Sequence, residues 1–272
     1  MSPRIIAPAT YKFDPVNECI YCGHRGELTD EHIIPYALGG TLVLPKSSCR
    51  PCAAITSRFE RKVLRDFMYT GRAVGNMPSR RKSKRPKSLS IEFISPDETV
   101  FRRDIAVPEA PAVIHLPILA PPSILSDRPP TNDIQFAGME TIHLGKDIDD
   151  VIQVNRAVGV RFHDRLLLSA FTQMLAKIAY SHVIAIHGLL PRGDSPVLPL
   201  ILGDRHEFSN WIGSGGFNPE TKSENPLDVI TSDEVTNDLG QRGYATRLRL
   251  FFNYPTTGYF VATHIPGWRA IF

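Results

Sequence analysis

The four cysteines constrain this chain more than anything else in its sequence. They form two Cys-x-x-Cys pairs, Cys19 with Cys22 and Cys49 with Cys52, and 26 residues separate the pairs. Each pair sets two thiols within reach of one ion, and two pairs complete a tetrahedral shell of four thiolates suited to Zn²⁺. Disulfides are the rival pairing. They are disfavoured because this spacing is commoner in zinc sites and redox proteins, and because Met1 to Tyr11 lacks the charged-then-apolar pattern of a secretion signal. Reduced cysteines make the cytoplasm the expected compartment. A module of about fifty residues is too small to rest on its own core, so a structural Zn²⁺ on Cys19, Cys22, Cys49 and Cys52 is expected to be part of its folding.

Between the pairs lies Asp30-Glu31-His32-Ile33-Ile34-Pro35, followed by Gly39-Gly40. Glu31 offers oxygen ligands for a hard cation, and His32 is a base that titrates near neutrality. Ile33 and Ile34 read as a strand that Pro35 stops. Neighbours in a strand point to opposite faces, so Glu31 and His32 can share one reacting centre only where the strand ends or bulges. Pro35 and Gly39-Gly40 permit this. Asp30 is a second carboxylate, placed to orient a ligand or the base.

Taken together, Cys-x-x-Cys, Glu-His-Ile-Ile-Pro, Leu-Gly-Gly and Cys-x-x-Cys resemble the HNH endonucleases, the ββα-metal or His-Me finger nucleases, in their zinc-knuckle branch. The resemblance covers residues 17–66. It implies a hairpin and a helix wrapped on structural zinc, and a metal-dependent endonuclease that hydrolyses phosphodiester bonds of DNA. It further implies His32 as general base and a catalytic divalent cation (Mg²⁺, Mn²⁺, Ni²⁺ or Zn²⁺) held by Glu31 and by a helix residue. One position departs from the pattern. The family often places Asn or His directly after the last cysteine, and Ala53 stands there. Glu60 shares a helix face with Ala53 but lies two turns on, roughly 10 Å along the axis. It can serve as the second ligand only if the helix is shifted. The alternatives are a cation held by Glu31, phosphate and water, or a degenerate site in a zinc-stapled module that only binds nucleic acid. An RNA nuclease would use the same chemistry.

Charge supports a polyanionic partner. Residues 58–87 carry eleven basic side chains against Glu60 and Asp66, a net of +9 in a chain whose total is +3. The expected backbone contacts are Arg58, Arg61, Lys62, Arg65, Arg80, Arg81, Lys82, Lys84, Arg85 and Lys87. A solvated basic linker is the rival reading of the run.

The fold class expected is α+β: a small zinc-stapled module, then a larger α+β domain with one long buried helix. Residues 1–78 read as the nuclease module, 79–88 as a basic linker and 89–272 as the second domain. Within the module, Ser47 to Phe67 reads as a helix capped by Ser47 or Ser48, with Pro51 in its first turn. Tyr69 to Pro78 reads as the module's boundary. Further on, 88–101 alternates like a hairpin, and 107–131 is proline-rich and expected to be irregular or edge structure. Residues 157–163 suggest a strand, and 246–252 with 258–264 a strand pair. The clearest helix runs from Asp164 to His187 and is ended by Gly188. Its Ser169, Gln173, Lys177 and Ser181 form one polar stripe on an otherwise apolar surface. A membrane span is disfavoured there by Gln173, Lys177 and His182.

Overall fold

The computed structural model describes residues 10–80, 82–162, 165–215, 228–236, 240 and 242–270. The chain opens with β1 (Tyr11–Lys12), β2 (Leu28–His32) and β3 (Leu42–Cys49), then α1 (Arg50–Lys62), a π-turn (Val63–Phe67) and α2 (Tyr69–Val74). A hairpin follows, β4 (Ser88–Ile94) and β5 (Val100–Ala106), then a longer one, β6 (Pro111–Leu119) and β7 (Phe136–Gly145). Next come α3 (Ile148–Val154), β8 (Gly159–Arg161), α4 (Leu168–His187) and α5 (Val197–Leu202). Strands β9 (Ile212–Ser214), β10 (Asp228–Thr236), β11 (Arg242–Leu250) and β12 (Tyr259–His264) complete the fold. Helices and sheets are both present, so the α+β expectation holds.

Four sheets result. β3 lies between β1 and β2, β4 between β5 and β8, β6 pairs with β7, and the last four strands run in the order β10-β11-β12-β9. The helix α4 is the spine. Its residues from Ala170 to Ile184 are buried except Gln173, and they pack on α1, α5 and the β9–β12 sheet. One apolar cluster joins the two halves of the chain: Ile20, Tyr21, Ile33, Phe59 and Phe67 belong to the same core as Phe171, Leu175, Ile178 and Tyr259. Among the described residues no helix is long and apolar enough to cross a membrane.

Local differences from the sequence reading have local causes. The strand before the Glu-His pair is Leu28–His32, and Ile33 and Ile34 lie beyond its end as fully buried plugs. Ser47 and Ser48 are not caps. They are buried inside β3, and Cys49 holds the N-cap position in extended conformation because it must serve both strand end and thiol cluster. The helix expected to run to Phe67 widens after Lys62, where the Met68 N–H reaches back to the Val63 carbonyl at 2.9 Å. That widening frees the Leu64 carbonyl, which accepts from Arg72 Nη1 at 2.8 Å. The proline-rich 107–131 stretch holds a nine-residue strand, β6, yet an edge one: it pairs only with β7. Pro111 and Pro117 are tolerated because a free edge needs no ladder from them. Gly71, within the stretch read as the module's boundary, is buried under β6, where an added Cβ would meet Ile114 at 2.2 Å. The helix read from Asp164 begins at Leu168; Asp164 itself lies outside the described residues.

Candidate active site

The hairpin β2–β3 builds the site. Its ladder pairs Leu28 with Cys49 and Thr29 with Ser48, then resumes with Glu31 opposite Leu44 and His32 opposite Val43. The break leaves Asp30 facing an enlarged stretch of β3, where Lys46 takes a positive φ of 46°. Asp30 Oδ1 accepts from the Lys46 N–H at 3.2 Å, and Lys12 stands 3.7 Å from its other oxygen. Asp30 therefore secures the bulge. After His32 the chain turns at Pro35. Gly39 has φ +88°, and a Cβ on Gly40 would fall 2.1 Å from the Ile34 carbonyl oxygen, so this turn needs both glycines.

Above the turn, Cys19, Cys22, Cys49 and Cys52 bring their sulfurs within 4.8 Å of one another. Cys22 and Cys49 sulfurs are 3.5 Å apart, far beyond a disulfide bond. A tetrahedral zinc with bonds of about 2.3 Å puts sulfurs about 3.8 Å apart, so these four donors fit a structural metal such as zinc. Burial raises the Cys19 and Cys52 thiols above their ordinary range, and a bound divalent ion would reverse that shift by holding them as thiolates.

Glu31 and His32 divide at the strand end. Glu31 is buried, with its Oε2 accepting from the Tyr21 hydroxyl at 3.2 Å and its Oε1 2.7 Å from Lys177 Nζ. His32 is half-buried on the wall of a cleft of about 2260 Å³. Its Nδ1 is buried and has no protein partner. Burial, then the charges of Arg80 and Lys177, hold the imidazole below its usual range against the pull of Glu31 and Asp30. A neutral imidazole with an unclaimed nitrogen can take a proton. The Tyr36 ring lies 5.8 Å from that of His32, and the Arg80 guanidinium stands 5.9 Å over Tyr36.

Glu60 does reach Glu31's surroundings, but through a lysine. Lys177 Nζ, fully buried on α4, is 2.9 Å from Glu60 Oε1, 2.7 Å from Glu31 Oε1 and 3.2 Å from the Ile33 carbonyl, and it also donates to the His32 carbonyl. Glu60 Oε1 accepts no well-directed hydrogen bond beyond this ion pair. Burial raises the Glu60 carboxyl, against Lys177. Burial alone would also strip the Lys177 proton, but the two carboxylates outweigh it and hold the ammonium above its ordinary range. With Ala53 offering no donor, the carboxylates expected to hold a catalytic cation converge on an ammonium. The donors as placed do not fit a divalent ion. In the sequence Lys177 is legible only as part of a polar stripe. The signal that could single it out is that it is the one Lys, Arg, Asp or Glu between Leu166 and His187.

The cleft gathers most of the expected cations. Arg61, Arg65, Arg80, Lys84, Arg85 and Lys87 line it, joined by Arg72 and Lys146. Arg58 and Lys62 are exposed on α1 outside it. Some of the lining cations are partly engaged in structure: Arg72 also donates to the Ala37 carbonyl at 2.9 Å, Arg85 to that of Met77 at 2.6 Å, and Lys146 stands 3.4 Å from Glu109. Arg81 and the side chain of Lys82 lie outside the described residues.

Residues 19–68 match the family model of HNH endonucleases. The matched stretch holds all four cysteines, the Glu-His pair and Glu60. It ends at Met68, directly after the π-turn, so the matched stretch leaves out Lys177 and the cleft cations beyond Met68. No curated protein and no solved structure matches the chain.

Proposed function

We propose that this protein is an endonuclease that hydrolyses phosphodiester bonds of DNA, with His32 as general base and zinc on the four cysteines as a structural staple. The observation that carries the reading is the position of His32. Its buried, unpartnered Nδ1 lies on a module matching HNH endonucleases, at the wall of a cleft lined by cations. A phosphodiester drawn to Arg61, Arg65, Lys84 and Lys87 would lie over this wall. The His32 imidazole would take a proton from water, whose oxygen bonds to phosphorus as the bond to the leaving oxygen breaks. The leaving oxygen gains a proton from solvent. The resemblance also implies a divalent cation on Glu31 and a helix residue, Glu60 only if the helix is shifted, and no step here depends on it. Phosphate contacts of this kind bring affinity and little sequence information.

Plasmid nicking by purified protein tests the reading. Parent and His32→Ala are compared on double-stranded DNA, single-stranded DNA and RNA, with Mg²⁺, Mn²⁺, Ni²⁺ or Zn²⁺. Cleavage by the parent that His32→Ala loses supports it, and preference for RNA moves the substrate without moving the chemistry. A second reading is a zinc-stapled module that binds nucleic acid and cuts nothing. Ala53 and the engagement of both carboxylates by Lys177 favour it, and binding without cleavage under every metal would establish it.

A further inference from the structure

The space between Glu31 and Glu60 is where this chain differs most from what its motif implies. The two carboxylates come from different elements, the end of β2 and the last turn of α1, and both turn inward to one point. That point is filled from a third element: Lys177 arrives from α4 with a side chain wholly excluded from solvent. Its ammonium also ties down the carbonyls of His32 and Ile33, the residues at which β2 ends. Four oxygens thus surround one positive charge, two of them carboxylate and two carbonyl. This is a set of hard donors of the sort that a metal ion collects in other proteins. Tyr21 fixes the remaining oxygen of Glu31.

We propose that Lys177 is the resident cation of this centre: its ammonium takes the place of a divalent ion between Glu31 and Glu60 and positions the strand end that carries His32. The chain supplies from its second half what the motif would otherwise recruit from solution. Two features follow at once. Ala53 does the centre no harm, because no ion needs a donor from that side. Glu60, two turns along α1 from Ala53, meets Glu31 at the Lys177 ammonium, which stands 2.9 Å from the one carboxylate and 2.7 Å from the other. Lys177 does not line the cleft and touches no substrate, so it is a positioning residue and His32 remains the group that meets the reacting atoms. The inference rests on the nuclease reading for what the centre does, and on geometry alone for what fills it.

Metal binding by the zinc-loaded full chain is the test, with no activity needed. Mn²⁺ is titrated into parent, Lys177→Met, and Lys177→Met combined with Glu60→Gln, and bound Mn²⁺ is followed by electron paramagnetic resonance. The parent is expected to show no Mn²⁺ site that depends on Glu31 or Glu60. Lys177→Met is expected to gain one, and the double variant to lose it again. A parent site abolished by Glu31→Gln or Glu60→Gln would overturn the proposal, as would a folded Lys177→Met that gains none. If Lys177→Met does not fold, parent crystals soaked in Mn²⁺ decide. An anomalous peak bridging Glu31 and Glu60 sinks the idea, and an unbroken Lys177 contact in the same crystals supports it. Where cleavage is detectable, the pH profile adds a readout that mere scaffolding would not move. Lys177→Met removes a positive charge beside His32, so the rising limb should shift to higher pH. Mn²⁺ titrations that come out as expected, with a parent that cuts no nucleic acid, would remove the nuclease reading and leave this one standing.

Discussion

The Tyr180 hydroxyl donates to the Ile20 carbonyl at 2.8 Å, so α4 is bonded to the backbone between the first two cysteines. The same tyrosine stacks on Tyr21 at 5.9 Å. Loss of the metal should therefore not stay local. Chelating the zinc is expected to change the near-ultraviolet circular dichroism of these tyrosines and to lower the melting temperature of the whole chain in one transition, because metal-binding free energy there is folding free energy. A chelated protein with unchanged melting would show that the cysteines hold no structural ion.

His32→Ala is expected to keep zinc and DNA binding and to lose roughly 10²–10⁴-fold in cleavage, the usual worth of a general base. The base must be neutral to act. Its titration lies below the ordinary histidine range, so kcat/KM of the parent should rise with pH and level off before an unperturbed histidine would. A plateau reached only at higher pH would mean that the limb belongs to another group.

Cations of the cleft and cations outside it should differ. Replacing Arg61, Arg65, Lys84 and Lys87 by Gln should weaken DNA binding and flatten its salt dependence, by about 0.9 in the slope of log K against log salt for each phosphate no longer neutralised. Arg58→Gln with Lys62→Gln should leave that slope near the parent value. Equal effects from both sets, read by fluorescence anisotropy across a salt series, would place the nucleic acid elsewhere.

Lys177→Met should destabilise the fold by about 3–5 kcal/mol, because it leaves two carboxylates buried without a counter-charge. Removing those charges as well, with Glu31→Gln and Glu60→Gln, should recover much of the loss. Urea unfolding of the three proteins measures this. A triple variant no more stable than the single one would show that the lysine acts through packing.

Acid should destabilise the chain through two histidines of its second half. His182 and His264 are buried, and burial lowers both from 6.5 to about 4. Unfolding releases them to their ordinary range, so the unfolded chain binds more protons between these values. Their contribution is complete above pH 6.5 and is lost as pH falls towards 4. A tenfold change in proton affinity is worth about 1.4 kcal/mol, so the two histidines together amount to a few kcal/mol. His182→Gln with His264→Gln should flatten the stability curve over that window, as measured by denaturant unfolding at successive pH values.

The zinc cluster, the Glu-His pair and the helix after Cys49 are legible in the sequence because their signals are short-range: spacing of two, adjacency, and a proline at a first turn. The hairpin expected at 88–101 and the strand pair expected at 246–252 with 258–264 are legible for the same reason. The role of Asp30 is not, because it depends on a positive φ at Lys46 that no motif marks. Gly71 misleads because a glycine needed for close packing looks the same in sequence as one that marks a module boundary. Lys177 is visible, but its importance is not. A lone charge in an apolar helix announces a partner, and the partner's identity is set by tertiary packing of α4 on α1.

Lys177 has a consequence for how such a chain can be recombined. The fifty residues that identify the family carry two buried negative charges and not the positive one that balances them. A crossover placed anywhere between Met68 and α4 parts these anions from their counter-ion unless the incoming half brings a cation to the same depth on the same helix. The two halves of this protein are heritable only as a matched pair, and shuffling HNH modules between chains of this kind should fail at Glu31 and Glu60 before it fails at the zinc.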